Sequence, residues 1–134
     1  MSDIELEIRT EPDIVLARQL ARKAAVELGF GVIDQSRIAT AVSELARNVL
    51  RYATEGRGRV SIRPRETNGR KGLEIVVSDD GPGISDVDEV MQDGYTSGRG
   101  MGLGLPGTKR LMDEMELKSQ LGMGTTVTVR KWLR

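Results

Sequence analysis

Glu44 and Asn48 lie four residues apart in the stretch Ser43-Glu-Leu-Ala-Arg-Asn48. On a helix, that spacing points both side chains from one face. A carboxylate so placed can accept a proton or orient a nucleophile, and a carboxamide oxygen is a hard ligand suited to magnesium. The same pair also suits the solvated edge of an ordinary amphipathic helix. Further along, Asp79-Asp-Gly-Pro-Gly-Ile84 follows an apolar alternating run. A carboxylate at a strand end can accept a hydrogen bond from an adenine amino group. Gly81 and Gly83 would let the backbone turn and approach a ligand. A plain turn uses the same residue types.

A third stretch, Gly98-Arg-Gly-Met-Gly-Leu-Gly-Leu105, precedes a helical pattern. Glycines at alternate positions suit neither helix nor strand. They do suit a loop whose amides cradle phosphates beside a helix N-terminus, or a loop that is merely flexible. Two rival glycine motifs fail here. Gly102-Leu-Gly-Leu-Pro-Gly107 fits the dinucleotide fingerprint, but a glycine-rich loop precedes it where a hydrophobic strand is required. As a Walker A start it fails because Thr108-Lys109 reverses the Lys-Ser/Thr order. Finally, Gly124-Thr-Thr-Val127 enters a strand. A threonine hydroxyl there could support an adenine contact, directly or through water, or could simply reflect β-propensity.

Composition narrows the chemistry. There is no cysteine and no histidine. Disulfides, thiolate metal sites, cysteine nucleophiles and a phosphohistidine on the chain itself are excluded. Lys+Arg and Asp+Glu both number 20, which argues against nucleic-acid binding driven by bulk charge. The start of the chain is alternating and acidic, unlike a signal peptide, and no apolar run is long enough to cross a bilayer. The reading is cytoplasmic, with neither nucleic acid nor membrane as a partner.

These groups need elements to hold them. At 134 residues the chain suits one domain, 1–134, and with 3% aromatics its core must be aliphatic. Ile4, Leu6 and Ile8 alternate as in a half-buried strand. Thr10-Glu-Pro-Asp13 resembles a capping box and opens a helix with the stripe Ile14, Ala17, Ala21, Ala24, Ala25 and Leu28, ended by Gly29 and Gly31. Asp34 is the candidate N-cap of a second helix, with Ile38, Ala41, Val42, Leu45, Val49 and Ala53 as its apolar stripe. Residues 55–58 form a turn before a strand at Val60 and Ile62. Thr67 to Gly72 reads as a hairpin loop, and Leu73, Ile75 and Val77 as the next strand. From Pro82 to Gly104 the periodicity fades, as in a functional loop. A helix over Leu105–Met115, a short strand at Leu117–Leu121 and a last strand with Val127 and Val129 complete the order. That order predicts an α/β fold: a mostly antiparallel sheet with helices on one face.

Taken together and in this order, the four motifs resemble the ATP-binding domain of the GHKL superfamily, whose fold is a two-layer α/β sandwich. The resemblance implies Glu44 as general base and Asn48 as ligand of Mg2+. It implies Asp79, Gly81 and Gly83 for adenine recognition, with support from Thr125. Residues 84–104 would be the ATP lid, with Gly100, Gly102 and Gly104 at the phosphates. Within the superfamily the short form resembles the anti-sigma-factor serine kinases. Asp13-Ile-Val, Ala17-Arg-Gln-Leu20, Glu27-Leu-Gly-Phe-Gly31, Lys109-Arg-Leu-Met-Asp-Glu114 and the ending Lys131-Trp-Leu-Arg134 bring it closer still to the RsbT-type switch kinases. The resemblance covers essentially the whole chain. It implies a serine/threonine kinase that uses ATP, acts on STAS-domain proteins of the stressosome and, once released, activates a downstream partner such as a phosphatase. The alternative within the same resemblance is an anti-sigma factor that sequesters a sigma subunit.

Overall fold

In the computed structural model, residues 2–52, 58–80, 104–119 and 124–134 are described. Strand β1 (Ile4–Ile8) alternates as its sequence predicts, with Ile8 fully buried and Glu5 and Glu7 exposed. Helix α1 (Glu11–Leu28) follows directly. The Asp13 carboxylate accepts the Arg9 and Thr10 backbone N–H groups at 2.8 and 3.0 Å and the Thr10 hydroxyl at 3.1 Å. Donors that a helix start leaves without intrahelical partners are thereby satisfied. The predicted stripe of α1 is buried from Ile14 to Ala25, with Leu28 partly buried against the same core.

Helix α2 (Val32–Tyr52) begins earlier than expected. The Gln35 N–H already bonds the Gly31 carbonyl at 2.9 Å, so Asp34 lies inside the first turn and is not the N-cap. Its carboxylate instead meets Arg37 at 3.2 Å. Ile38, Ala41, Val42, Leu45 and Val49 are buried as predicted, whereas Ala53 falls outside the described residues.

Strands β2 (Gly58–Thr67) and β3 (Arg70–Asp79) form a hairpin much tighter than the expected loop. Asn68 (φ +53°) and Gly69 (φ +77°) make a two-residue turn, and Thr67 pairs directly with Arg70. Two consecutive left-handed residues match the twist of the flanking strands, so the ladder runs up to the turn. Gly72 therefore belongs to β3, where a Cβ would lie 2.5 Å from the Trp132 ring.

Helix α3 (Gly104–Leu111) stops short of the predicted Met115. The Lys131 ammonium donates to the Leu111 carbonyl at 3.0 Å, and the Asp113 N–H donates to the Arg130 carbonyl at 2.9 Å. Met115 is then free to enter β4 (Glu114–Ser119) opposite Val129. Strand β4 thus begins three residues before the expected Leu117, and Leu121 lies outside the described residues. Strand β5 is Thr125–Trp132.

The five strands run in the order β1-β2-β3-β5-β4, and every neighbouring pair is antiparallel. One face carries Ile8, Val60, Ile62, Leu73, Ile75, Val77, Val127 and Val129 into a core shared with α1 and α2. The other face is zipped by charge: Glu74 accepts Arg130 at 2.8 Å, and Arg130 reaches Glu114 at 3.2 Å. The predicted α/β architecture, a mostly antiparallel sheet with helices on one face, is the one observed. Insertion of β5 between β3 and β4 has one consequence for function. It sets the end of β3 beside the start of β5.

Candidate functional site

The end of β3 carries Asp79, and its direction follows from its partners. Asp79 pairs with Gly58 of β2 and with Thr125 of β5. Residues directly opposite across a ladder share one face. A Cβ on Gly58 would meet the Val49 side chain of α2 at 2.2 Å, so that face is the one covered by α2. Asp79 and Thr125 therefore sit side by side beneath the C-terminal half of α2. Ser119 of β4 extends the row, its hydroxyl 2.9 Å from that of Thr125 and donating to the Gly124 carbonyl at 3.1 Å. Gly124 locks the arrangement. At φ +83° a Cβ there would stand 2.0 Å from the Asp79 carbonyl oxygen.

Glu44 and Asn48 are one turn apart on α2, both partly buried, at the rim of the apolar stripe. Asn48 immediately precedes Val49, the residue that reaches the Gly58 seat next to Asp79. The Glu44 carboxylate accepts the Arg47 guanidinium at 3.1 Å, and the glutamate side chain is only 13% exposed. Gly104 is the first residue of α3, which packs against α2. The Thr108 hydroxyl is fully buried and donates back to the Gly104 carbonyl at 2.9 Å. A hydroxyl so engaged within the first turn of α3 is turned away from the Walker-type role that the sequence already refused it.

Structure thus brings Asp79 and Thr125 into direct register, and brings Glu44, Asn48 and Gly104 to elements packed on one another. Gly81, Gly83, Gly100, Gly102 and the rest of the expected lid before Gly104 lie outside the described residues. A cleft of 320 Å³ lined by Glu7, Arg9, Gly58, Arg59, Ser78, Asp79 and Asp80 opens at the same end of the sheet. It includes neither Glu44 nor Asn48 nor Thr125, so the α2 side of Asp79 is the better candidate. Among the described residues no three acidic, histidine or cysteine side chains cluster as a metal cage. The Asn48 carboxamide would offer a hard oxygen donor of the kind magnesium takes. No helix among the described residues is long and apolar enough to cross a membrane.

Sequence reasoning missed two residues that shape this region, Gly58 and Arg47, and one, Lys131, that ties the opposite end of the sheet. Lys131 is buried, capping α3 at Leu111 while lying 3.7 Å from both Asp34 and Asp113. No local pattern marks it, because its three partners come from distant parts of the chain. Gly58 looks like a turn residue in the sequence and is instead the first residue of β2, opposite Asp79. Arg47 stood inside the motif itself, three residues after Glu44, and the i, i+3 spacing of opposite charges was the available signal.

The histidine kinase-, DNA gyrase B-, and HSP90-like ATPase family matches residues 33–134. The chain is 55% identical to serine/threonine-protein kinase RsbT of Bacillus subtilis (strain 168), over 95% of this chain and 94% of that protein. It is 31% identical to an anti-sigma F factor of Caldanaerobacter subterraneus, over 87% of this chain and 83% of that protein. Among solved structures, one containing the RsbU and RsbW domains of a Mycobacterium tuberculosis protein aligns with a TM-score of 0.67 at 20% identity. The alignment covers 98% of this chain and 32% of that one, and speaks for the fold alone. Ordered motifs, sheet register and near-complete coverage converge: the chain belongs to the histidine kinase-, DNA gyrase B-, and HSP90-like ATPase family and, within it, to the serine/threonine-protein kinases of the RsbT type.

Proposed function

We propose that residues 1–134 act as one cytoplasmic kinase domain that transfers the γ-phosphoryl of ATP to a serine or threonine of a STAS-domain stressosome protein. On release from that substrate the kinase activates a downstream partner, a phosphatase or another signalling output protein. The observation that carries this reading is the register that sets Asp79 beside Thr125 under α2, the helix that carries Glu44 and Asn48 at the rim of its apolar stripe. In this reading Asp79 accepts the adenine amino group, with Thr125 in support and Gly81 and Gly83 allowing close approach. Gly100, Gly102 and Gly104 serve the phosphates together with the N-terminus of α3. Asn48 would hold Mg2+, which when bound offsets charge on the phosphates. Glu44 orients the acceptor hydroxyl and takes its proton as the acceptor oxygen bonds to phosphorus and ADP departs. Phosphorylation adds roughly −1.5 to −2 charge at the acceptor, which changes the interface in which it was made.

The test is incubation with labelled ATP, magnesium and a candidate STAS protein, with Glu44→Gln as the comparison. Removal of a general base lowers turnover about 10²–10⁴-fold, while ATP affinity should stay close to wild type. Near-normal labelling by the variant would refute the role of Glu44. A second reading, an anti-sigma factor with the same kinase chemistry, is favoured by the 31% identity to an anti-sigma F factor. The 55% identity to RsbT weighs for the switch kinase. A pull-down separates the two: a switch kinase retains a STAS protein, an anti-sigma factor retains a sigma subunit.

A further inference from the structure

The Glu44–Arg47 pair raises a question of charge. The guanidinium lies 3.1 Å from the Glu44 carboxylate, with the two side chains 34% and 13% exposed. An ion pair this shielded holds its carboxylate in one orientation more firmly than a solvated surface pair would. The guanidinium is 34% exposed, so water can solvate it once the carboxylate takes the acceptor's proton, and the contribution of the pair is one of aim. A charge-assisted bond to Arg47 fixes the orientation from which Glu44 takes that proton.

We propose that Arg47 is a positioning residue for Glu44: it holds the carboxylate in the orientation from which it takes the acceptor's proton. The proton passes from the acceptor hydroxyl to Glu44, the new O–P bond forms, and the bond from phosphorus to the ADP oxygen breaks with its electron pair leaving on ADP. Arg47 supplies no proton. The proposal rests on the reading of Glu44 as the base.

A four-protein comparison tests it: wild type, Glu44→Gln, Arg47→Met and the double variant, assayed for kcat and KM with labelled ATP and the STAS acceptor. Misplacement of a reacting group can lower kcat roughly 10²-fold. Arg47→Met is expected to show a loss of that order, with KM for ATP within about twofold, since uniform binding is left intact. In the Glu44→Gln background the same substitution is expected to change kcat little, because residues acting as one unit are not additive. Arg47→Lys should restore part of kcat, keeping the charge but not the fork. An equal loss from Arg47→Met in both backgrounds would mean that Arg47 acts independently of Glu44, and the proposal falls. It falls equally if Arg47→Met keeps full kcat while Glu44→Gln does not. If Glu44→Gln itself turns over normally, the base assignment fails and takes this proposal with it.

Discussion

Replacing Gly124 with alanine tests the geometry at Asp79 more sharply than replacing Asp79 itself. Two penalties act at position 124. Its φ of +83° is a left-handed backbone, which for a residue with a Cβ costs about 1–2 kcal/mol. The added Cβ would also stand 2.0 Å from the Asp79 carbonyl oxygen and 3.0 Å from the Asp80 Cα. Those are backbone atoms of a ladder and cannot swing aside as a side-chain tip can. Relief requires the start of β5 to move off the end of β3, for about another 1–3 kcal/mol by analogy with overpacked cores. Gly69 supplies the control. Its φ is +77°, yet a Cβ there meets nothing within 4 Å. Gly69→Ala therefore isolates the backbone penalty, and the difference between the two variants is the displacement. At roughly 4 °C per kcal/mol for a chain of this size, Gly69→Ala should lower Tm by about 4–8 °C and Gly124→Ala by about twice that. Calorimetric titration with Mg-ATP should separate them further. Gly69→Ala keeps wild-type affinity, whereas Gly124→Ala, by moving Thr125 away from Asp79, loses about tenfold or more, which is 1.4 kcal/mol. If both variants lose the same Tm and bind ATP alike, the contact between Gly124 and the Asp79 carbonyl does not shape the site.

Asp79→Asn should weaken ATP binding in the same titration, because the adenine amine loses a charged acceptor. Asn48→Ala should remove mainly the magnesium-dependent part, and unchanged affinity in both variants would refute these two assignments. Stability in acid should depend on Asp113. Burial pushes its carboxyl up, but the Trp132 N–H, Arg134 and the Lys131 charge outweigh that and hold it below its ordinary 3.8. A folded pKa lower than the unfolded one gives stability that is complete above the unfolded value and lost as pH falls through the folded one. Asp113→Asn should thus lower Tm at neutral pH and flatten the fall below about pH 4, where the ordinary carboxyl titrates. Equal acid slopes in the two proteins would exclude the role.

Much of this architecture was legible because it is written locally. The stripes of α1 and α2 repeat at helical spacing, and the partners of β3 and β5 alternate, so their buried faces could be named residue by residue. The errors fell where a distant residue decides a boundary. Leu111, Met112 and Met115 fit a helix as well as they fit a helix end followed by a strand. Lys131, sixteen residues beyond Met115, decides between the two by taking the last carbonyl of α3. Gly72 looked like part of a loop because a glycine in mid-strand is disfavoured, and its reason is the Trp132 ring across the ladder. Asp79 and Thr125 could be named as candidates from their own motifs. Their adjacency could not, since it depends on β5 inserting between β3 and β4. Arg47 is the opposite case: its partner is local, and the i, i+3 spacing to Glu44 is written in the motif itself.

Gly58 and Gly124 flank Asp79 on either side, each seated where a methyl group would strike a neighbour, Val49 in one case and the Asp79 backbone in the other. Neither glycine has a side chain to offer a nucleotide. In a saturation screen for kinase activity, both should nonetheless behave like chemical residues, rejecting every replacement, alanine included. Intolerance of this kind carries no information about reactivity. A reader of such a screen who ranks positions by severity alone would crowd the map of the active site with two residues whose whole contribution is to be small. Ranking by the gap between lost activity and lost stability would separate Glu44 from them.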